Sequence, residues 1–304
     1  MTISIPAPND SPNGWIILDK PLGLTSAQGV AAVKRVLRQA GLPVPRIGHG
    51  GTLDPLATGV LPIALGEATK LAGRMLDAAK GYAFTVQFGS ETTTLDAEGD
   101  VIATSPVRPD AAAIAAILPR FTGPIVQVPP AYSALKVDGQ RAYALARAGE
   151  AVALAPRHLT IHSLVLTHSD EHSASFATLV SKGTYIRSLA RDIALALGTV
   201  GHVTMLRRTQ SGPFRLDQAI ALDNLGEIVQ RRGLEQVILP LVAGLDDIPA
   251  LAVGPEQAAA LRCGRTLTGH PADDGTYLAC HGSVPVALVS LSAGEVKVLR
   301  GFNL

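Results

Sequence analysis

The sequence has little cysteine, little charge and few aromatic residues. Its 304 residues include 2 cysteines, 17% charged residues and 4% aromatic residues. The two cysteines, Cys263 and Cys280, cannot build a disulfide framework or a paired CxxC zinc site, and they fit a reducing compartment. Apolar residues make up 47% of the chain, which excludes a disordered or fibrous protein. The strongly apolar stretches fall well short of about 20 residues, so no membrane span is predicted.

Several familiar catalytic and cofactor-binding motifs are missing as well. No lysine is followed by Ser or Thr, so a phosphate-binding loop of the usual form is excluded. There is no HExxH, no GxSxG, and no dinucleotide fingerprint after the first predicted strand. Four residues near the end of the chain, Cys263, His270, Cys280 and His281, match no common zinc spacing, which favours thiols and histidines without a metal. We therefore predict no metal and no cofactor.

The length is that of one large domain or two unequal ones. Residues 1–13 have neither the basic nor the apolar region of a signal peptide and are predicted to form a loose tail. Proline and glycine punctuate residues 240–254, where the local charge also changes sign. We therefore predict a large domain over 14–245 and a small one over 246–304.

Charge is distributed unevenly, although the net charge is only +1. Residues 20–80 hold eight basic and three acidic side chains, and residues 182–215 hold six basic and one acidic. The last 59 residues hold four basic and six acidic side chains. The two basic segments could form one face for an anionic ligand if the fold brings them together. Charge alone favours an ordinary solvated surface.

Apolar spacing predicts interleaved strands and helices without regular βαβ units, which favours an α+β fold. Ser26 is predicted to cap a helix that closes at Gly41, and Asp110 a second helix that runs to Leu118. Residues 41–60 are predicted to form a long loop. The predicted strands are 14–20, 80–89, 157–167, 174–182 and 202–209, and the later predicted helices are 184–197 and 222–232.

The segment GHGGTLDPLATG, residues 48–59, is the strongest candidate for a reactive loop. It holds four glycines, one proline, one histidine and one carboxylate, and its glycines suit close approach to a ligand. Asp54 is the sole acidic residue between Asp19 and Glu67 and could be a nucleophile or a general base. It could equally be an Asx-turn residue that bonds its own backbone. A glycosidase would need a second carboxylate, and the acidic residues 96–100 are better explained as a hairpin tip.

The same loop carries a resemblance to a known family. GHGGTLDPLATGVLPIALGEATK (48–70) resembles the signature of the TruB-type tRNA pseudouridine synthases. Further segments follow in that family's order and spacing, and the match covers about residues 14–215. They are GWIILDKPLGLTS (14–26), KGYAFTVQFGSETTTLDAEGD (80–100), QVPPAYSALKVDGQRAYALARAGE (127–150), SKGTYIRSLARDIALALG (181–198) and HVTMLRRTQSGPF (202–214).

The resemblance implies a fold and an activity. The implied fold is a mixed, mainly antiparallel sheet with flanking helices, followed by a small C-terminal β domain similar to the PUA fold. That domain would make few RNA contacts, through Arg262 and Arg265. The implied reaction turns one uridine in the T-loop of tRNA, position 55 in tRNA numbering, into pseudouridine, without a metal or a nucleotide cofactor.

The resemblance also implies roles for individual residues. Asp54 matches the family's catalytic aspartate, either as nucleophile at ribose C1′ or as the base that removes the 2′ proton. Arg187 matches the arginine that pairs with that aspartate, and Tyr82 the tyrosine that stacks on the flipped uracil. Tyr185 and Leu206 match positions that line the pocket. His49 matches the residue that fills the space left by the base, and Lys20 is expected to support the loop or meet phosphate.

The implied partner is the T-arm and T-loop of tRNA, bound by the two basic segments. The chain is expected to be a cytoplasmic monomer without an obligate protein partner. An alternative is a tRNA-folding chaperone that uses the same surface without catalysis. A small-glycoside hydrolase is the third hypothesis, but it lacks a second carboxylate and leaves the basic segments unexplained.

Overall fold

The computed structural model describes residues 11–137 and 139–304. Residues 1–10 of the predicted tail lie outside that range. The helices are α1 (Ser26–Gln39), α2 (Ala72–Asp77), α3 (Ala111–Ile117), α4 (Ala142–Arg147), α5 (Ile186–Ala196), α6 (Leu222–Gln230) and α7 (Pro255–Arg262). The strands are β1 (Gly14–Lys20), β2 (Ile47–His49), β3 (Ala57–Leu65), β4 (Lys80–Phe88), β5 (Ser90–Thr92), β6 (Val101–Thr104), β7 (Gly123–Gln127), β8 (Lys136–Val137), β9 (Gln140–Arg141), β10 (Arg157–Ser169), β11 (Ser173–Val180), β12 (Gly201–Ser211), β13 (Phe214–Arg215), β14 (Ile220–Ala221), β15 (Ala250–Ala252), β16 (Gly275–His281), β17 (Val284–Ser292) and β18 (Glu295–Gly301).

One large sheet organises residues 14–221. Its strands run in the order β14-β1-β3-β12-β4-β11-β10-β7, with β2 against β3 and β13 against β12. Two pairings, β1 with β14 and β3 with β12, are parallel, and the other pairings of this sheet are antiparallel. The predicted mixed, mainly antiparallel α+β fold is therefore confirmed.

Both faces of the sheet are buried at β1, which explains the unbroken apolar run of that strand. Trp15 and Ile17 pack into a core on one face, while Ile16 and Leu18 pack on the other with α1 and α6. Side chains alternate across a strand, so a strand covered on both faces needs apolar residues at every position. Another core joins α5 to β4, β10, β11 and β12.

The parallel pairing of β3 with β12 sets the position of the glycine-rich loop. Leu206 on β12 lies opposite Ala57, the first residue of β3. On its other side, β12 is antiparallel to β4, with Leu206 opposite Phe84 and Arg208 opposite Tyr82. The loop that leads into β3 therefore lies beside side chains of β12 and β4 that are distant in sequence.

A small four-stranded sheet, in the order β15-β16-β17-β18, forms the C-terminal β domain. It has a core of its own with α7. Leu278, Leu288 and Phe302 also pack into the core that holds Trp15, so the two sheets share apolar contact. The boundary between residues 245 and 246 and the likeness to the PUA fold stay predictions.

Two local expectations were wrong. Residues 41–60 are not one loop, because β2 and the start of β3 form within them. β2 pairs with residues 63–65 of β3, and the start of β3 pairs with β12. Thr25, not Ser26, caps α1: its hydroxyl accepts from the backbone N–H of Gln28. The Asp110 cap, the strand over 14–20 and the hairpin around residues 93–100 are confirmed. In the described part of the chain, no helix has both the length and the apolar character needed to cross a membrane.

Candidate active site

A cavity of about 220 Å³ opens beside the glycine-rich loop. Five of the predicted site residues line it together, namely Asp54, Tyr82, Tyr185, Arg187 and Leu206. They come from the loop before β3, from β4, from the start of α5 and from β12. The fold therefore collects in one place residues that lie as much as 152 positions apart in the chain.

The backbone on both sides of Asp54 is held by contacts with the segment between β1 and α1. Before Asp54, the buried hydroxyl of Ser26 accepts from the N–H of Leu53 at 2.8 Å and lies 3.2 Å from the carbonyl of the same residue. After it, the carbonyl of Pro55 accepts from the N–H of Gly23 at 2.9 Å. These bonds fix the loop without using the Asp54 carboxylate.

Arg208 supports the same loop from beneath. Its side chain is almost fully buried, and its guanidinium donates to the carbonyls of Gly51, Thr52 and Val60. Gly59, at φ +100°, lets β3 approach β12, the strand that carries Arg208. A Cβ at residue 59 would lie 2.2 Å from the carbonyl oxygen of Arg208. The glycine-rich sequence thus permits close packing of two strands under the loop.

Lys20 is fully buried below the loop and does not line the cavity. Its Nζ donates to the carbonyls of Pro21, Leu24 and Pro55, at 3.0, 2.6 and 3.3 Å. Burial lowers the pKa of Lys20 to about 8, against the opposing charge of Asp54. Lys20 was expected either to support the loop or to contact phosphate. The geometry supports the first role, because these three carbonyls already surround the ammonium group.

Replacing Lys20 by methionine is expected to change how stability depends on pH. The pKa of Lys20 falls from 10.5 to about 8 on folding, so between those values the unfolded state binds more protons there. The contribution of Lys20 to the free energy of unfolding therefore rises with pH across that window. Urea unfolding at about pH 7.5 and about pH 9.5 should show wild type gaining stability relative to Lys20→Met. Parallel pH profiles would mean that Lys20 keeps its ordinary pKa.

Arg187 joins the loop to two other segments. One guanidinium nitrogen lies 2.9 Å from Oδ2 of Asp54, and the other lies 3.3 Å from Oδ2 of Asp96. The guanidinium also donates to the carbonyls of Thr94 and Tyr132. The Arg187 side chain is 7% exposed while that of Asp54 is 42% exposed, so the carboxylate stays accessible beside a buried cation.

The remaining walls combine aromatic and apolar groups. Tyr82 and Leu206 are half-buried and pack against the two cores on either side of the cavity. Tyr185 precedes α5, and its backbone is held by Gln127, which accepts from the Tyr185 N–H at 2.9 Å and donates to its carbonyl at 3.2 Å. Burial raises the pKa of the Tyr185 hydroxyl. The cavity thus has flat apolar surfaces next to one carboxylate.

His49 lies on β2, opposite Ile63, and does not line the cavity. Burial, and the nearby charge of Arg208, lower its pKa, so the imidazole is neutral at pH 7. Among the described residues, its Nδ1 has no hydrogen-bond partner. His49 is therefore separated from the five residues that the fold brings together.

Three residues of the site were missed by the sequence analysis. Asp96 was predicted at a hairpin tip, and it is there, but it is buried and paired with Arg187. Lys80 and Arg208 were counted as part of a basic surface, yet both are buried and line the cavity. The Lys80 Nζ donates to the carbonyls of residues 75, 76 and 78, and burial lowers its pKa to about 8. The placement of Lys80 and Arg208 in the regular period of β4 and β12 could have indicated burial.

The predicted basic surface is smaller than the sequence indicated, because several of the cations counted in it are buried. Four of its cations, Lys20, Lys80, Arg187 and Arg208, are buried. The basic side chains that remain exposed in segments 20–80 and 182–215 include Arg35, Arg38, Arg46, Lys182 and Arg215. In the described part of the chain, no three His, Cys, Asp or Glu side chains lie close enough together to hold a metal ion.

Solved structures share this fold. One titled as an H/ACA RNP bound to a substrate RNA containing 2′-deoxyuridine is 26% identical, with a TM-score of 0.73 over 96% of this chain and 85% of the other. A Cbf5-Nop10-Gar1 complex is 27% identical, with a TM-score of 0.73 over 95% of this chain and 85% of the other. The fold is that of the pseudouridine synthases.

Sequence comparison narrows the class. A model of the TruB family pseudouridylate synthase N-terminal domain matches residues 34–186, and a tRNA pseudouridylate synthase B C-terminal domain model matches residues 187–246. A tRNA pseudouridine synthase B of Novosphingobium aromaticivorans is 65% identical, covering 96% of this chain and 98% of its own. One of Zymomonas mobilis is 55% identical over the full length of both chains. The chain belongs to the TruB family of pseudouridylate synthases.

Proposed function

We propose that this chain converts a uridine of tRNA, position 55 in the T-loop, into pseudouridine. The observation that carries the proposal is the contact of the accessible Asp54 carboxylate with the buried Arg187, at a cavity walled by Tyr82 and Leu206. The high identity to relatives named tRNA pseudouridine synthase B supports the choice of tRNA.

The reaction is an isomerisation in which atoms balance within the substrate. The bond between N1 of uracil and C1′ of ribose breaks, the base turns, and C5 forms a bond to C1′. The proton on C5 is lost and N1 gains one. Since reactant and product are isomers, the conversion needs no net oxidant, reductant or group donor.

Asp54 is the group that acts on the ribose. As a nucleophile it attacks C1′, and as a base it removes the 2′ proton, and both roles need the ionised carboxylate. Arg187 places a buried positive charge 2.9 Å from it. In this proposal Tyr82 stacks on the uracil, while Tyr185 and Leu206 form the remaining wall around the base.

A uracil within a folded T-loop cannot reach this recessed carboxylate. The nucleotide must be extruded, at a cost of a few kcal/mol. A neutral histidine ring at the end of β2, just before the loop that borders the cavity, suits the space that the base leaves, because a flat ring recovers stacking. We assign this role to His49.

The His49→Ala variant is expected to slow base extrusion while leaving the chemical step intact. Pre-steady-state fluorescence of an adenine analogue next to the target uridine would measure extrusion directly. An RNA whose target uridine is already unpaired should restore the variant's rate, since extrusion then costs less. Equal extrusion rates for variant and wild type on folded RNA would contradict the role.

The exposed lysine and arginine side chains of the two basic segments are proposed to contact the RNA backbone. Affinity should then fall steadily as salt concentration rises.

We further propose that the chain acts in the cytoplasm as a monomer without an obligate protein partner. Sedimentation of the free chain and of its RNA complex would test the monomeric state.

Tritium release from T-arm RNA carrying 5-tritiated uridine tests the proposed function. Loss of the C5 hydrogen accompanies the new C–C bond, so release reports the chemistry itself. The matched control RNA carries tritiated uridine everywhere except position 55, where it has cytidine. Release that depends on uridine 55 supports the proposal. No release from a folded, RNA-binding chain, with full-length tRNA also tried, would overturn it in favour of the chaperone alternative.

A further inference from the structure

The segment VPPAYSAL, residues 128–135, borders the cavity and is fastened to α5. The carbonyl of Tyr132 accepts from Arg187 at 3.0 Å, through the nitrogen that also pairs with Asp54. The carbonyl of Val128 accepts from the hydroxyl of Ser188 at 2.9 Å. This segment is therefore held directly beside the reacting carboxylate.

Ser133 is the residue of this segment whose backbone is fully engaged while its side chain is not. Its N–H donates to the carbonyl of Ala131 at 2.9 Å, and its carbonyl accepts from the N–H of Tyr143 at 3.0 Å. Ser133 is 4% exposed and lines the cavity. Its side chain interacts with the Tyr185 hydroxyl, and this interaction lowers the pKa of Tyr185 against the larger opposing effect of burial. Among the described residues, however, the Oγ of Ser133 makes no hydrogen bond of ordinary geometry.

An unpaired buried hydroxyl is unusual, because burial removes its bonds to water without replacing them. Two other buried side-chain atoms in the described chain share this condition, Nδ1 of His49 and Oγ of Ser211, and neither residue lines the cavity. Ser26 shows the ordinary case, a buried hydroxyl bonded to the backbone of Leu53. A free hydroxyl that faces a cavity fits a partner that arrives with the ligand.

We propose that Ser133 Oγ forms a hydrogen bond with the polar edge of the flipped uracil. The cavity is also lined by apolar residues such as Ala57 and by the hydroxyls of Ser181 and Thr184. Those two hydroxyls are already bonded to the backbone, Ser181 accepting from the N–H of Thr160 and Thr184 donating to the carbonyl of Ser181. Uracil carries two carbonyl oxygens and one N–H that need partners. A hydroxyl can donate to the former or accept from the latter. Flipped bases are read through hydrogen bonds to this edge. The inference rests on the proposed function, since it names a substrate contact at the same site.

The Ser133→Ala variant is expected to lower kcat/KM about tenfold, which corresponds to about 1.4 kcal/mol, with a melting temperature equal to or above that of wild type. A variant that merely disturbs the fold would lower both. Ser211→Ala is the matched control: it removes an equally unpaired hydroxyl away from the cavity and should leave kcat/KM unchanged. Ser133→Thr, which keeps the hydroxyl, should retain most of the activity.

The contact itself is located by combining the variant with altered substrates. RNA carrying 4-thiouridine or 2-thiouridine at the target weakens one acceptor of the base, and N3-methyluridine removes its N–H donor. With one of these three targets, Ser133→Ala should lose little further activity. If Ser133→Ala instead loses little further activity on a target uridine that lacks its 2′ hydroxyl, the contact is with the ribose, and the uracil assignment is overturned. Unchanged kcat/KM for Ser133→Ala, with wild type active, would overturn this inference alone. An inactive wild type would instead overturn the proposed function.

Discussion

Asp54→Asn is expected to abolish turnover while leaving tRNA affinity within a few-fold of wild type. Both possible roles of Asp54 need an ionised carboxylate, and an amide cannot replace it as nucleophile or base. Loss of such a group lowers the rate by about 10⁴-fold or more. The loop should keep its shape, because Ser26, Gly23 and Lys20 hold its backbone without the carboxylate.

Single-turnover tritium release and filter binding on the same preparations would separate chemistry from affinity. Asp192→Asn is a suitable control, since Asp192 is a half-buried aspartate paired with an arginine, Arg191, at 2.8 Å outside the cavity. That control should turn over normally. Turnover of Asp54→Asn near the wild-type rate would remove Asp54 from the mechanism, and loss of binding would mean that the loop had moved.

Arg187→Ala is expected to lower activity per folded molecule by about 10² to 10³-fold, in the range found when a preorganised electrostatic group is removed. The substitution also leaves Asp96 without its cation, and Asp96 is buried. Breaking a buried ion pair costs about 3–5 kcal/mol. The contacts of Asp96 with the Thr94 hydroxyl and the Glu98 N–H moderate that cost.

The double variant Arg187→Met, Asp96→Asn separates the loss of activity from the loss of stability. Without the unpaired carboxylate, we expect urea unfolding to show recovery of most of the lost stability, while single-turnover tritium release stays low because Asp54 still lacks its cation. Measurement at saturating enzyme removes any effect on RNA affinity. Normal activity per folded molecule, together with a large fall in melting temperature, would make Arg187 a purely structural residue.

The local features of this fold could be predicted from sequence because each rests on neighbouring residues. The apolar run GWIIL indicates a buried strand, the spacing of 184–197 indicates an amphipathic helix, and Asp110 indicates a cap. The segment 48–70 indicates the reactive loop by composition and the family by resemblance. The strands within residues 41–60 were missed, since their glycines and prolines read locally as loop. Pairing with other segments stabilises them: β2 pairs with residues 63–65 of β3, and the start of β3 pairs with β12 and β1.

The sequence by itself determined the family, the α+β class and the candidate carboxylate, because these follow from a contiguous motif and from local periodicity. The tertiary structure decided which charges are buried and what they contact. Arg208 and Lys80 read as surface cations until strand pairing encloses them, and Asp96 reads as a hairpin tip until the fold carries it to Arg187. Burial and ion pairing depend on contacts between residues distant in the chain, and the unpaired hydroxyl of Ser133 became visible only when its neighbours were in place.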